Sequence, residues 1–179
     1  MKWLLPGSTL LAVGLTLWLV DFWIWAIDNS LSVPVARITG TAAILFGSIL
    51  IAYHQRPAAN LMVIGSFLWC IGVVLFYLFA EPSVEAIAMI GEAMFFLGIC
   101  FVGVRLSDRG RLRRIWGTLA WLTIIALWAR LISSILEIDI IAEAPVLLVS
   151  VMTVYAAALM VLLTSTIVAT FEQKTALKS

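Results

Sequence analysis

Three ionisable side chains lie inside long apolar stretches of the sequence, and their types and spacing make them the strongest candidates for chemistry. They are Asp21, Glu92 and Arg130. A charged side chain in the hydrocarbon core of a membrane costs at least ~2.5 kcal/mol on the mildest insertion scale, so it normally pairs or faces water. With one cation for two acids, the second carboxylate would be protonated, bind a cation or face a polar cavity.

The depths of these three residues are predicted to match, because each lies seven residues from an acidic residue at the same end of its helix. The pairs are Asp21 with Asp28, Glu85 with Glu92, and Arg130 with Glu137. Seven residues of helix place each charge about 10 Å below that end. We therefore predict that Arg130 contacts Asp21 or Glu92. The sequence leaves open whether this polar cluster is a structural ion pair or a working site.

Three tryptophans form a second candidate, since Gly-x-x-x-Trp occurs at 14–18, 65–69 and 117–121. Its tryptophans, Trp18, Trp69 and Trp121, would lie at similar depths on the first, third and fifth helices. If those helices are neighbours, the three rings converge on one axis, where they either pack as a core or line an apolar pocket. A ring facing lipid is the third interpretation. Trp3, Trp23, Trp25 and Trp116 are predicted to anchor helices at the membrane boundaries.

Catalytic, metal and cofactor sites are not expected, because the groups that build them are missing. His54 is the only histidine and is predicted to lie on a solvated helix end beside Arg56. Within this chain, that excludes bis-histidine haem ligation and histidine-rich metal sites. Cys70 and Cys100 are predicted to differ in depth by roughly 10 Å, too far for a disulfide, so both are interpreted as packing residues. No nucleophile and base occur at a plausible spacing.

The composition places these residues in an all-helical integral membrane protein, with 64% hydrophobic and only 12% charged residues. A helix needs about 20 apolar residues to cross a bilayer. Six such stretches occupy residues 8–27, 37–54, 58–80, 85–104, 114–136 and 145–170. We therefore predict one transmembrane domain over residues 1–179, surrounded by lipid. The net charge of +1 gives no indication of a nucleic-acid partner.

Basic residues predict the orientation, because lysine and arginine are retained in cytoplasmic loops. One side of a six-span arrangement holds Lys2, Arg56, Arg105, Arg109, Arg111, Arg113, Arg114, Lys174 and Lys178. Among the loops of the other side, Arg37 is the only basic residue, beside Asp28, Glu81, Glu85, Glu137, Asp139 and Glu143. Both termini are therefore expected in the cytoplasm. The first apolar run is predicted to be a retained helix rather than a cleaved signal peptide.

The sequence also repeats, since GTAAILFG at 40–47 is matched by GEAMFFLG at 91–98, 51 residues later. We predict three tandem helical hairpins, at about 7–56, 58–107 and 114–170, with an approximate threefold repeat. The third has drifted, with Ser150 where its last glycine would fall. Small residues at these spacings let helices approach closely in lipid. Chance coincidence of common membrane residues is the alternative.

This pattern resembles the HdeD-like family, which are small six-helix bacterial inner-membrane proteins built from two-helix repeats and associated with acid resistance. The resemblance covers residues 7–107 and rests on short arginine-ended links and on Gly14, Gly40, Gly47, Gly65, Gly91 and Gly98. The prolines expected near the outer ends of the first and third helices are absent, although Pro82 lies just beyond the third. The resemblance implies a bacterial inner-membrane location and carries over no functional residue.

Two functions remain open, with an intramembrane enzyme the least favoured third. The first is a non-catalytic protein, either an accessory subunit or a stress-related inner-membrane protein, which acts through helix packing against a partner membrane protein or a second copy. The second is a channel or transporter for a small solute or protons, which uses the polar cluster. Short loops and abundant small residues favour the first function. Only two acids and one arginine lie deep within the predicted helices, which is few for a transporter.

Overall fold

The chain folds into a set of long α-helices. The computed structural model describes residues 3–28, 34–79, 82–107, 110–135 and 145–176. These ranges contain six helices and no strand, which confirms the all-helical prediction. The helices are α1 (Leu4–Ile27), α2 (Pro34–Gln55), α3 (Asn60–Phe79), α4 (Pro82–Leu106), α5 (Gly110–Ile135) and α6 (Pro145–Ala176).

Five of these helices are long and apolar enough to cross a membrane, as a multi-pass membrane protein requires. The qualifying segments are Leu4–Ile27, Pro34–Gln55, Asn60–Phe79, Ala86–Leu106 and Val146–Glu172. The described part of α5 does not meet this criterion of length and apolar composition, because arginines lie at the start of the helix. These are Arg111, Arg113 and Arg114. The predicted apolar spans are thus confirmed for every helix except α5.

The backbones of α1 and α2 touch through glycines, and so do those of α3 and α4. A methyl group on Gly40 would lie 2.8 Å from the carbonyl oxygen of Gly14. One on Gly91 would lie 2.8 Å from the carbonyl oxygen of Gly65. Real Cβ atoms essentially never come under 3.0 Å of a neighbour. Each glycine pair therefore holds an antiparallel helix pair at a separation that any larger residue would increase.

Other contacts between α1 and α2 recur between α3 and α4, with both residues of each contact 51 positions later in the sequence. Gly47 packs against Leu11, and Gly98 packs against Met62. In the same way, Gly14 contacts the backbone of Ile44 and Gly65 contacts the backbone of Phe95, while Gly40 and Gly91 meet the backbone nitrogens of Trp18 and Trp69. The residues at matching positions of the two sequence segments therefore make matching contacts.

The last two helices pack differently. A methyl group on Gly117 would meet nothing within 4 Å, so this glycine lies outside any helix contact in the described part of the chain. Helix α5 packs mainly against α4, whereas α6 packs against α1 and α4. Tyr155 of α6 reaches α5, where its hydroxyl contacts the Thr123 hydroxyl and donates to the Leu119 carbonyl oxygen at 3.3 Å.

One expected boundary anchor is instead a core residue. Trp116 is fully buried, and its indole ring packs against the backbone of Gly103. Its ring N–H has no hydrogen-bond partner among the described residues. The reason is that Gly103 leaves a depression on α4 that receives the ring, so the side chain lies inside the α4–α5 contact.

Candidate functional site

A buried ion pair joins α1 and α2 at the far end of the bundle, where α1 and α3 end and α2 and α4 begin. Asp21 of α1 is fully buried, and Arg37 of α2 donates from Nε to its Oδ2 at 2.5 Å. The Arg37 guanidinium also lies 6.0 Å from the centre of the Tyr77 ring on α3. One arginine side chain thus links three helices through an ion pair and a cation–π contact.

Arg37 occupies this place because α2 begins earlier than expected. Its span was predicted to begin at residue 37, which would place Arg37 at the boundary with the loop, but the helix begins at Pro34. Proline is favoured at the first turn of a helix, where its missing N–H leaves no hydrogen bond unmade. Arg37 is therefore already within α2, and the close contact between Gly14 and Gly40 brings α2 within reach of Asp21.

The structure describes the side chains of two of the three residues in the predicted polar cluster. Asp21 and Glu92 both lie at the far end, and Asp21 is paired with Arg37, a residue that the sequence analysis had assigned to the opposite loops as a topology marker. The predicted contact of Arg130 with either acid falls on a side chain outside the described residues. One sequence signal pointed to Arg37, since it is the lone basic residue on an otherwise acidic side.

Two of the three predicted tryptophans meet. The rings of Trp18 and Trp69 lie 5.1 Å apart between centroids and are inclined by 77°, a favourable edge-to-face arrangement. Both side chains are buried. Trp121 does not join them and is 66% exposed. The reason is that α5 packs mainly against α4, so its Gly-x-x-x-Trp segment points away from α1 and α3.

A cavity of about 100 Å³ borders the Trp18–Trp69 contact; we call it the far-end pocket. Its aromatic wall is formed by Trp18, Phe22, Trp69 and Phe76. Its charged residues are Arg37 and Glu92, and Val73, Ala88, Met89 and Met152 complete the lining. The pocket therefore lies among α1, α2, α3, α4 and α6, with the ion pair of Arg37 on one side and Glu92 on another.

The side chains that line this pocket can bind a ligand through its charge and its apolar surface. Aromatic faces attract cations and pack against apolar groups, and charged side chains select a ligand by its charge. Cys70 and Cys100 are free thiols, and neither lines the pocket. Among the described residues, no three histidine, cysteine, aspartate or glutamate side chains are grouped so that they could hold a metal ion.

Comparison with known proteins identifies no relative of this chain. No protein-family model, curated protein or solved structure matches this chain. The resemblance to the HdeD-like family is therefore carried by the glycine positions and the short links alone.

Proposed function

We propose that this chain is a non-catalytic multi-pass membrane protein that binds a small solute in the far-end pocket and transports or senses it. The observation that carries the proposal is that one pocket combines the paired rings of Trp18 and Trp69 with Arg37 and Glu92. Charged side chains inside membrane helices are costly and commonly mark solute or ion pathways. Of the two functions that the sequence left open, this geometry favours the solute pathway.

If the Asp21–Arg37 ion pair were only structural, neither a cavity nor a second carboxylate would be needed beside it. Asp21 and Arg37 satisfy each other, and a purely structural pair would be enclosed by close-packed side chains, as protein interiors normally are. Here a cavity borders Arg37, and its wall carries the second carboxylate, Glu92. The side chains that line a cavity lose van der Waals contacts, which lowers stability. Binding of a solute would be a reason for the protein to retain such a cavity.

We further propose that the far end faces the outside and that both termini lie in the cytoplasm of a bacterial inner membrane. The distribution of arginines supports this orientation, since Arg105, Arg111, Arg113 and Arg114 are exposed at the opposite, near end of the bundle. The pocket would then receive its solute from the external side.

A second function, that of a subunit, is favoured by one observation on α5. Gly14 and Gly65 each contact a neighbouring helix, whereas their counterpart Gly117 meets nothing within 4 Å. If the three hairpins are related copies, this face of α5 is available to a partner membrane protein or a second copy of the chain. Disulfide cross-linking between copies through a Gly117→Cys substitution would support the second copy, and its absence at high protein density would argue against it.

Cysteine labelling tests the proposed solute pocket. In a background with Cys70→Ser and Cys100→Ala, Met89→Cys places a thiol on the pocket wall, and Ile44→Cys places one in the fully buried α1–α2 contact. A small methanethiosulfonate reagent should label Met89→Cys in detergent at least about tenfold faster than Ile44→Cys, because only the pocket offers access. Equal rates at the two positions would contradict the proposal.

The same background tests the orientation in intact cells. Asp28→Cys and Gly110→Cys place thiols at exposed positions at the far end and the near end. An impermeant form of the reagent should label Asp28→Cys and leave Gly110→Cys unmodified until the cells are broken. The reverse pattern would invert the proposed topology.

A further inference from the structure

The near end of the bundle carries a cluster of exposed arginines, which we call the near-end arginines. They are Arg105 in the last turn of α4 and Arg111, Arg113 and Arg114 at the start of α5. The ring of Trp116 packs on Gly103, so the end of α4 lies against the start of α5 and the arginines of the two helices share one region. Residues 105–114 contain five arginines and a single acid, so this segment has a net charge of +4.

The exposed face of α5 that begins with two of these arginines continues as an apolar surface. Residues three, four, seven and eleven positions apart lie on one side of a helix. Arg111 and Arg114 are therefore followed on the same side by Ile115, Leu122 and Ile125, and all five side chains are exposed. Helix α5 packs mainly against α4, which is apolar enough to cross a membrane, so this exposed face borders the lipid. The face thus joins positive charge at its start to an apolar surface deeper in the bilayer.

A depression lies beside this face at Gly117. A methyl group on this glycine would meet nothing within 4 Å. Arg114 lies about one turn before Gly117 and Trp121 about one turn after it, and both side chains are exposed. Because glycine has no side chain, the surface is open between the guanidinium group and the indole ring. This space is suited to a slender apolar chain that extends into the membrane from a group held by the arginines.

An anionic phospholipid matches both parts of this surface. Its phosphodiester carries the negative charge that arginine recognises through paired N–H donors, and its acyl chains are apolar. Each basic residue beside an anionic membrane surface strengthens association by about fivefold. A soluble anion, in contrast, would leave the apolar face and the depression at Gly117 unused.

A second copy of the chain fits this surface less well. Two copies inserted in the same sense are related by an axis normal to the membrane, so contact through this face would set the two arginine clusters side by side at one depth. Each copy carries a net charge of +4 over residues 105–114, and like charges at close range repel. The charge of the near end therefore favours an anionic lipid as the occupant of this face.

We propose that the near-end arginines and the adjoining face of α5 bind an anionic phospholipid of the surrounding bilayer. Arg111 and Arg114 donate hydrogen bonds to its phosphodiester oxygens, and one acyl chain lies in the depression at Gly117 against Trp121. The site is at the opposite end of the bundle from the far-end pocket and is independent of the proposed solute-binding function.

Native mass spectrometry of the delipidated full chain in detergent tests this assignment. Dioleoyl phosphatidylglycerol, which is anionic, and dioleoyl phosphatidylcholine, which is zwitterionic, are added separately, so that the acyl chains match and the headgroups differ in charge. We expect the first phosphatidylglycerol molecule to bind at least about tenfold more tightly than the first phosphatidylcholine molecule. Inorganic phosphate at millimolar concentration should not displace it, because phosphate makes no contact with the apolar face.

Two matched variants locate the site. Arg111→Gln removes one near-end arginine and should weaken phosphatidylglycerol binding about fivefold. Arg56→Gln removes one exposed arginine that directly follows α2 at the same end of the bundle, and it should leave this binding unchanged. Both arginines are exposed, so neither substitution should disturb folding. Phosphatidylcholine should bind the two variants and the unmodified chain alike.

Every other outcome overturns the proposal. Equal binding of the two lipids would show that the site does not recognise the charge of the headgroup. Equal weakening by Arg111→Gln and Arg56→Gln would show that lipid attraction is a general property of the near end. Displacement by inorganic phosphate would identify a site for a soluble anion, and disulfide cross-linking of Gly117→Cys copies would assign this face of α5 to a second copy.

Discussion

Replacing Gly91 with alanine is expected to destabilise the folded bundle by about 1–3 kcal/mol, the usual cost of forcing an extra group into a well-packed core. The added methyl group would lie 2.8 Å from the Gly65 carbonyl oxygen and would overlap the backbone nitrogen of Trp69. Backbone atoms cannot move aside as a side chain does, so α3 and α4 must separate. The measurement is the midpoint of thermal unfolding in detergent, where the variant should melt several degrees lower.

The matched control for this substitution is Gly117→Ala. A methyl group at Gly117 would meet nothing within 4 Å, so it adds only the higher helix propensity of alanine, worth up to about 1 kcal/mol. We therefore expect Gly117→Ala to be neutral or slightly stabilising. An equal loss of stability in the two variants would show that the α3–α4 contact is not built as described.

Replacing Arg37 with leucine is expected to cost about 3 kcal/mol of stability, because it breaks the buried ion pair that the structure describes between Arg37 and Asp21. The measurement is again the thermal midpoint in detergent. Arg114→Leu removes an exposed arginine of α5 and should change the midpoint little.

A double variant tests whether the Asp21–Arg37 ion pair has only a structural role. Adding Asp21→Asn to Arg37→Leu should recover part of the lost stability, as coupled residues do in a double-mutant cycle. If the pair is only structural, the recovered protein keeps its ligand binding. If Arg37 positions the wall of a working pocket, stability returns while the pocket binds its solute more weakly than in the unmodified chain. Strictly additive losses would contradict the Asp21–Arg37 contact itself.

The architecture of the first four helices could be predicted from sequence because its determinants are local and repeated. Apolar stretches of sufficient length predict α1 to α4, and the glycines at 14, 40, 65 and 91 lie at the positions where the helices touch. In lipid, close approach depends on small residues, so a stripe of glycine is a direct sign of a contact. The same stripe does not reveal which helix lies opposite, and this is why the packing of α5 mainly against α4 was not predicted.

The site was harder to predict because it depends on long-range contacts and on a helix boundary. Asp21 and Glu92 were identified from the cost of charge in a membrane, which needs no knowledge of neighbours. Arg37 was missed as a partner, since moving the start of α2 by three residues changes it from a residue at the helix boundary into one within the first turn that reaches Asp21. Trp121 was grouped with Trp18 and Trp69 by spacing alone, and spacing does not record which face of α5 packs against α4.

Fluorine NMR of protein labelled with 5-fluorotryptophan is the most direct test of the central claim, that the far-end pocket binds a small solute. Phenylalanine substitutions assign the resonances of Trp18 and Trp69 on the pocket wall and those of Trp3 and Trp121, which are exposed. Three compact probes of different charge, tetramethylammonium chloride, tert-butanol and sodium pivalate, are titrated separately. At least one of them should shift the first pair saturably and leave the second pair unchanged, while sodium chloride at equal concentration shifts none. Shifts of equal size at all four tryptophans, or no saturable shift at Trp18 and Trp69 with any probe, would contradict the claim.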